Sequence, residues 1–242
     1  MSSNTLCRYV GGSHLYKLST PKSDIDERGV FLNTDPLLVY GFNKNDSVVS
    51  VTDEHDVSLQ ELSHFLKLAT RSNTQTLECL SILDPGYFTS LDSDFWELVC
   101  CGWTKFMNSE VLMKSLEGYL YGEMRLATGE RTGTLGSKRK NALETYGYSY
   151  KNCVHLFRLA ECGRLFFEHD RWFNSLEEAS PEVHQLCLDL KTQPESFEIG
   201  DLVSRAGDFK NRMRKAYEHR KTNFVPDLDH VRKTLTHFYT RG

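Results

Sequence analysis

The sequence predicts an α+β fold: a short mixed sheet with flanking helices, followed by a helical C-terminal module. Three observations predict it. Short β-branched runs, separated by connectors rich in glycine, proline and hydroxyl residues, occupy the first 51 residues. A helical apolar period takes over from about residue 94. A chain of 242 residues has room for one generous domain or two small ones, and the change of pattern puts the boundary between residues 93 and 94.

Taken in order, residues 5–10 and 29–32 read as short strands, and Ser47–Val51 (SVVSV) as a third. The turn-rich connector GGSHLYKLSTPKSD lies between the first two. Residues 56–70, DVSLQELSHFLKLAT, are expected to form a helix, because Leu62, Phe65, Leu66 and Ala69 follow the i, i+3, i+4 pattern. Asp56 would be its N-cap, although Leu59 stands where the glutamate of a capping box belongs. Further helices are expected over 94–106, 109–125, 150–163, 181–191, 199–219 and 227–240. The stretch TGERTGTLGSKRK (128–140) has three glycines, the run Lys138-Arg139-Lys140 and no apolar period, and reads as a loop.

Composition narrows the class. At 39% hydrophobic and 26% charged the chain is an ordinary globular sequence. A net charge of −4, with an isoelectric point near 6.1, argues against coating nucleic acid by bulk electrostatics. No secretory signal and no bilayer-length apolar stretch is visible, so a cytoplasmic location without membrane association is expected. Seven scattered cysteines, mostly inside apolar runs, suit reduced core thiols.

The chemistry concentrates in Gly12-Ser13 followed, after ten residues, by Asp24-Ile25-Asp26. On a strand, residues i and i+2 share a face, so Asp24 and Asp26 would stand side by side while Ile25 points into the core. Adjacent carboxylates repel unless a cation lies between them, and Mg²⁺ favours a few carboxylates together with phosphate oxygens and water. A glycine turn lets backbone N–H groups approach an anion, and the Ser13 hydroxyl can add a hydrogen bond to a phosphate oxygen. A Gly-Ser pair or an Asp-x-Asp by itself is usually structural; the ordered combination between two strands is far more specific.

These residues resemble the GS…DxD signature of the DNA polymerase β-like nucleotidyltransferase superfamily. The stretches GSHLYKLSTPKSDIDERGVF and HDVSLQELSHFLKLATRSNTQTLECL look like a branch of predicted nucleotidyltransferases from bacteria and phages, some of them associated with RNA ligases. The likeness covers roughly the first 85 residues and returns in YGYSYKNCVHLFRLAECG, residues 146–163.

The resemblance implies a catalytic core over residues 1–93 that moves a nucleoside monophosphate from an NTP, ATP among them, to an acceptor hydroxyl or phosphate. Gly12 and Ser13 would hold the triphosphate. Asp24 and Asp26 would bind two Mg²⁺ ions, with Mn²⁺ as a substitute. A third carboxylate would be Asp56, with Asp53 and Glu54 as competitors. Relatives commonly carry glycine where this chain has Lys17, which would touch the phosphates or signal an altered loop. Lys151 and His155, with Arg158 at helical spacing, would form a basic rim for the nucleotide or for an RNA or tRNA acceptor. Two other readings stay open: a nucleotide-binding regulator without turnover, and a toxin–antitoxin-type transferase acting on tRNA or protein. Cys153, His155, Cys162 and His169 lack the paired spacings of structural zinc, and no P-loop or serine elbow is present.

Overall fold

Alternation of apolar and polar residues builds the sheet. The computed structural model of the protein describes residues 4–21, 23–33, 35, 47–51, 55–131 and 137–241. Strands β1 (Asn4–Val10), β2 (Ile25–Leu32), β3 (Ser47–Val51), β4 (His55–Glu61) and β5 (Phe88–Leu91) form one sheet in the order β3-β4-β2-β1-β5. The β2–β4 pair is parallel and the other neighbours are antiparallel, which makes the sheet mixed. Residues 5–10, 29–32 and 47–51 lie in strands as expected, and β2 extends back to Ile25.

The expected helix over 56–70 is a strand followed by a helix. Asp56, Ser58 and Gln60 alternate with Val57 and Leu59, a period of two that belongs to β4. The helical period holds only from Leu62, where α2 (Leu62–Thr70) begins. Its N-cap is Glu61, whose carboxylate accepts from Ser63 N at 2.8 Å and from His64 N at 3.4 Å, so Asp56 caps nothing. A short helix α3 (Thr74–Leu80) follows, capped by Asn73, which accepts from Gln75 N at 2.9 Å.

The expected helix over 94–106 is broken into short turns. It starts as α4 (Ser93–Phe95), widens into π-helical turns over Trp96–Cys100, and tightens into a 3₁₀ turn at Trp103–Phe106. Then come α5 (Ser109–Ala127), α6 (Ser137–Tyr146), α7 (Tyr150–His169), α8 (Pro181–Thr192), α9 (Ile199–Glu218) and α10 (Leu228–Thr240). Of the loop expected over 128–140, residues 137–140 open α6, and 132–136 lie outside the described residues.

The chain divides into two compact units, one of residues 1–112 with 223–242 and one of 113–222. The division expected after residue 93 therefore falls inside the first unit. The reason is packing: Phe95, Val99, Cys100, Phe106 and Phe238 are buried in the same cluster as Cys7, Tyr9 and Val30 of the sheet and Phe65 and Leu66 of α2. In the second unit α7 is the central helix. Phe157 meets Phe209 of α9 edge-on at 5.0 Å, and the Cys187 thiol of α8 approaches Val154 O at 3.8 Å. All seven cysteines are free, and all but Cys101 are buried. Among the described residues no helix is long and apolar enough to cross a membrane.

Candidate functional site

The first functional element grows out of the β1–β2 ladder. Gly11 N donates to Asp26 O at 2.7 Å, and the chain then turns into α1 (Gly12–Leu15). Gly12 has φ +59°, and a Cβ built on it would lie 1.8 Å from Asp26 Oδ2. Glycine is required there twice over, by the left-handed backbone and by the carboxylate pressed against it.

The end of α1 sets the backbone conformation of Lys17, where the resemblance leads one to expect glycine. Lys17 N donates to His14 O at 3.1 Å and Leu18 N to Ser13 O at 2.8 Å, the bond pattern of a Schellman cap. Lys17 occupies its left-handed position, with φ +55° and an exposed side chain. A glycine preference at this place is thus a demand of the backbone. Lys17→Gly is expected to stabilise the fold by about 0.5 kcal/mol, because relief of the left-handed conformation exceeds the added freedom of the unfolded chain. Denaturant midpoints check this; a lower midpoint in the variant would show that the cap is unstrained.

Asp26 is the second residue of β2, and Asp24 lies just ahead of the strand; both are half-buried. Ile25 between them does not enter the core and is 46% exposed. The helices cover the face that carries Asp26. At this end of the sheet the opposite face is left to solvent and holds a charged cluster, with Glu27 2.8 Å from Arg8 Nη1 and 3.3 Å from His55 Nε2.

Parallel pairing sets Asp56 of β4 directly beside Asp26 of β2. Residues paired across neighbouring strands share a face, so the two carboxylates stand on the same side of the sheet. Both line a cavity of about 200 Å³, together with Arg28, Ser58, Gln60 and Gln75; Asp24 is not part of its lining. Asp56 Oδ1 is buried and has no hydrogen-bond partner among the described residues. Leaving such an oxygen unsatisfied costs about 1–3 kcal/mol, a cost that a cation relieves.

The donor set is oxygen only, as a hard divalent ion prefers. Gly12, Asp26 and Asp56 therefore fit a Mg²⁺ or Mn²⁺ ion with a phosphate ligand. Among the described residues no three acidic, imidazole or thiol groups already converge on one point, so the fit rests on register and on the unsatisfied oxygen. Asp53 and Glu54, the competitors of Asp56, lie outside the described residues.

Local sequence pattern does not single out Arg28, Ser58, Gln60, Gln75 or Glu78. Arg28, Ser58 and Gln60 follow Asp26 and Asp56 at intervals of two, the spacing of a shared strand face. Asn73 was the available signal for the helix that carries Gln75 and Glu78.

Lys151 and His155 lie on α7 of the second unit, both exposed. Arg158, expected on the same rim, is buried, with Nη2 3.4 Å from His155 Nδ1. Next to them, buried Asn152 donates to Glu123 Oε2 at 2.6 Å, and burial pushes the Glu123 carboxyl above its ordinary value. Tyr148 is a core residue whose hydroxyl donates to Pro194 O at 2.7 Å.

Comparison with known proteins bears on the family of the chain. Residues 2–236 match the RlaP family, described as the RNA repair pathway DNA polymerase beta family. Over 124 residues the chain is 29% identical to an uncharacterized 38.9 kDa protein of the nrdC–mobD intergenic region of Enterobacteria phage T4. That match covers 48% of this chain and 36% of the phage protein, so it spans about a third of that relative's length. A crystal structure of a nucleotidyltransferase-like protein from Exiguobacterium sibiricum 255-15 aligns over 98% of this chain and 73% of that one, with 12% identity and a TM-score of 0.31. With its family match running through almost the whole sequence, the chain belongs to the RNA repair pathway DNA polymerase β family.

Proposed function

We propose that the protein is a metal-dependent nucleotidyltransferase, which moves a nucleoside monophosphate from an NTP to an acceptor hydroxyl or phosphate and releases pyrophosphate. The observation that carries this reading is the meeting of three groups in one place: the Gly12 backbone against the Asp26 carboxylate, and Asp56 register-paired with Asp26 on the same face. Family membership supports it independently.

In this reading Asp24, Asp26 and Asp56 hold two Mg²⁺ ions, with Mn²⁺ able to substitute; when bound, such ions polarise phosphate oxygens and offset the charge that develops on them. Gly12 and Ser13 present backbone N–H groups and a hydroxyl to the triphosphate. The Asp56 carboxylate would orient the attacking hydroxyl toward the α-phosphate or accept its proton through the oxygen that does not face the ion. Lys17 supplies positive charge to the nucleotide phosphates. The cytoplasm, that of the host if the protein is phage-encoded, provides both NTP and acceptor.

The test is replacement of Asp24 and Asp26 together by asparagine, which keeps volume and removes both charges. Pyrophosphate release, assayed with each NTP and Mg²⁺, is expected to fall by at least about a thousandfold. Unchanged turnover in the double variant would sink the proposal.

A further inference from the structure

We propose that Glu78 is a positioning residue that holds Arg28 away from Asp26 and Asp56, and so sets how strongly those carboxylates bind a divalent cation. The proposal rests on reading the carboxylates as cation ligands. It concerns a charge that this reading leaves unexplained: Arg28 is a permanent cation on the same strand face as Asp26, two positions along, and lines the same cavity as both carboxylates.

The path of its side chain sharpens the question. A Cβ built on Gly11 would lie 2.8 Å from Arg28 Cδ and 3.0 Å from Nε, so the stem runs directly against Gly11. Gly11 is also the residue whose N–H bonds Asp26 O. The stem therefore leans toward the Asp26 end of β2. Even so, among the described residues no ion pair joins Arg28 to Asp26 or Asp56.

Its partner is Glu78 on α3, to which Arg28 Nη1 donates, and Glu78 is only 5% exposed. A carboxylate so buried has strong reason to keep its counter-ion, since an unpaired buried charge is costly. Tyr9, paired with Arg28 across β1 and β2, forms the floor. Burial pushes its hydroxyl well above the ordinary value; Glu78 adds to that effect and Arg28 opposes it, which places both charges close to one buried point. Without Glu78 the guanidinium would be free to pair with Asp26 or Asp56 and to compete with a metal ion for their oxygens.

Mn²⁺ binding to the full chain, read by electron paramagnetic resonance and by calorimetry, tests this without any turnover. Glu78→Gln is expected to raise the Mn²⁺ Kd by about tenfold or more, because a competing cation is released into the site. Removing both charges, in Arg28→Gln/Glu78→Gln, is expected to return the Kd to within about threefold of wild type. Restoration by a second substitution is a result that a merely structural loss does not produce. Wild-type affinity in Glu78→Gln, or a double variant as weak as Glu78→Gln, overturns the proposal. Should Glu78→Gln fail to fold, the double variant decides alone, and a tenfold weaker Kd there overturns it. A wild-type chain that binds no Mn²⁺, or binds it equally well as Asp26→Asn, removes the carboxylate reading and this inference with it.

Discussion

Gly12→Ala is expected to lower pyrophosphate release by roughly a hundredfold or more, while the chain still folds. The alanine must adopt φ +59°, which costs an L-residue on the order of 1 kcal/mol. The larger effect is steric. Its methyl would have to occupy a point 1.8 Å from Asp26 Oδ2, well inside contact distance, so either the Gly11–Ser13 turn or the carboxylate must move by an ångström or more. Displacements of that size in a group that aligns reacting atoms carry rate losses of this order. Single-turnover pyrophosphate release measures the effect, and a thermal melt separates it from unfolding. A variant with wild-type turnover would show that the close approach of turn and carboxylate has no part in the reaction.

Phe95→Ala is expected to destabilise the first unit by about 3–5 kcal/mol, the usual cost of emptying a fully buried aromatic site. Phe95 is 0% exposed; its ring centroid lies 6.0 Å from that of Phe65 on α2 and 6.5 Å from that of Phe238 on α10. One ring thus joins the sheet-side helix to the last helix of the chain, and no rearrangement of α4 alone refills the space. Calorimetry should show the melting temperature lower by roughly 10 °C. A shift of only a degree or two would mean that residues beyond 93 contribute little to this core.

Phe95 also shows why the sequence pattern divides after residue 93 while the compact units divide after residue 112. A helical apolar stripe says that a face is buried, not which surface buries it. The segments at 93–106 and 228–240 carry the same periodicity as the helices of the second unit, yet their aromatics pack with the sheet. Asp56 illustrates a different limit. Six residues of alternating pattern run straight into a helix, and the apolar positions Leu62, Phe65 and Leu66 pulled the whole segment into one helical reading. Ile25 shows a third: alternation assigns opposite faces correctly, but only tertiary packing tells which face the helices cover.

The sequence by itself determined the elements whose cause is local. Gly12 with Ser13, the Asp-x-Asp pair opening β2, the amphipathic helices α5 and α7 to α10, and reduced cysteines all follow from backbone conformation, side-chain period and composition. Only the tertiary structure decided which residue stands beside Asp26. Parallel pairing joins strands distant in sequence, and its register depends on how α2 and α3 pack on the sheet rather than on either strand alone. The same packing brings Glu78 to Arg28, an ion pair fifty positions apart in the chain that neither residue's neighbourhood foretells. Local rules located two of the carboxylates. The resemblance implied Asp56 as a third; the register that sets Asp56 beside Asp26, and the buried Glu78 bonded to Arg28, come from contacts the chain makes only once it is folded.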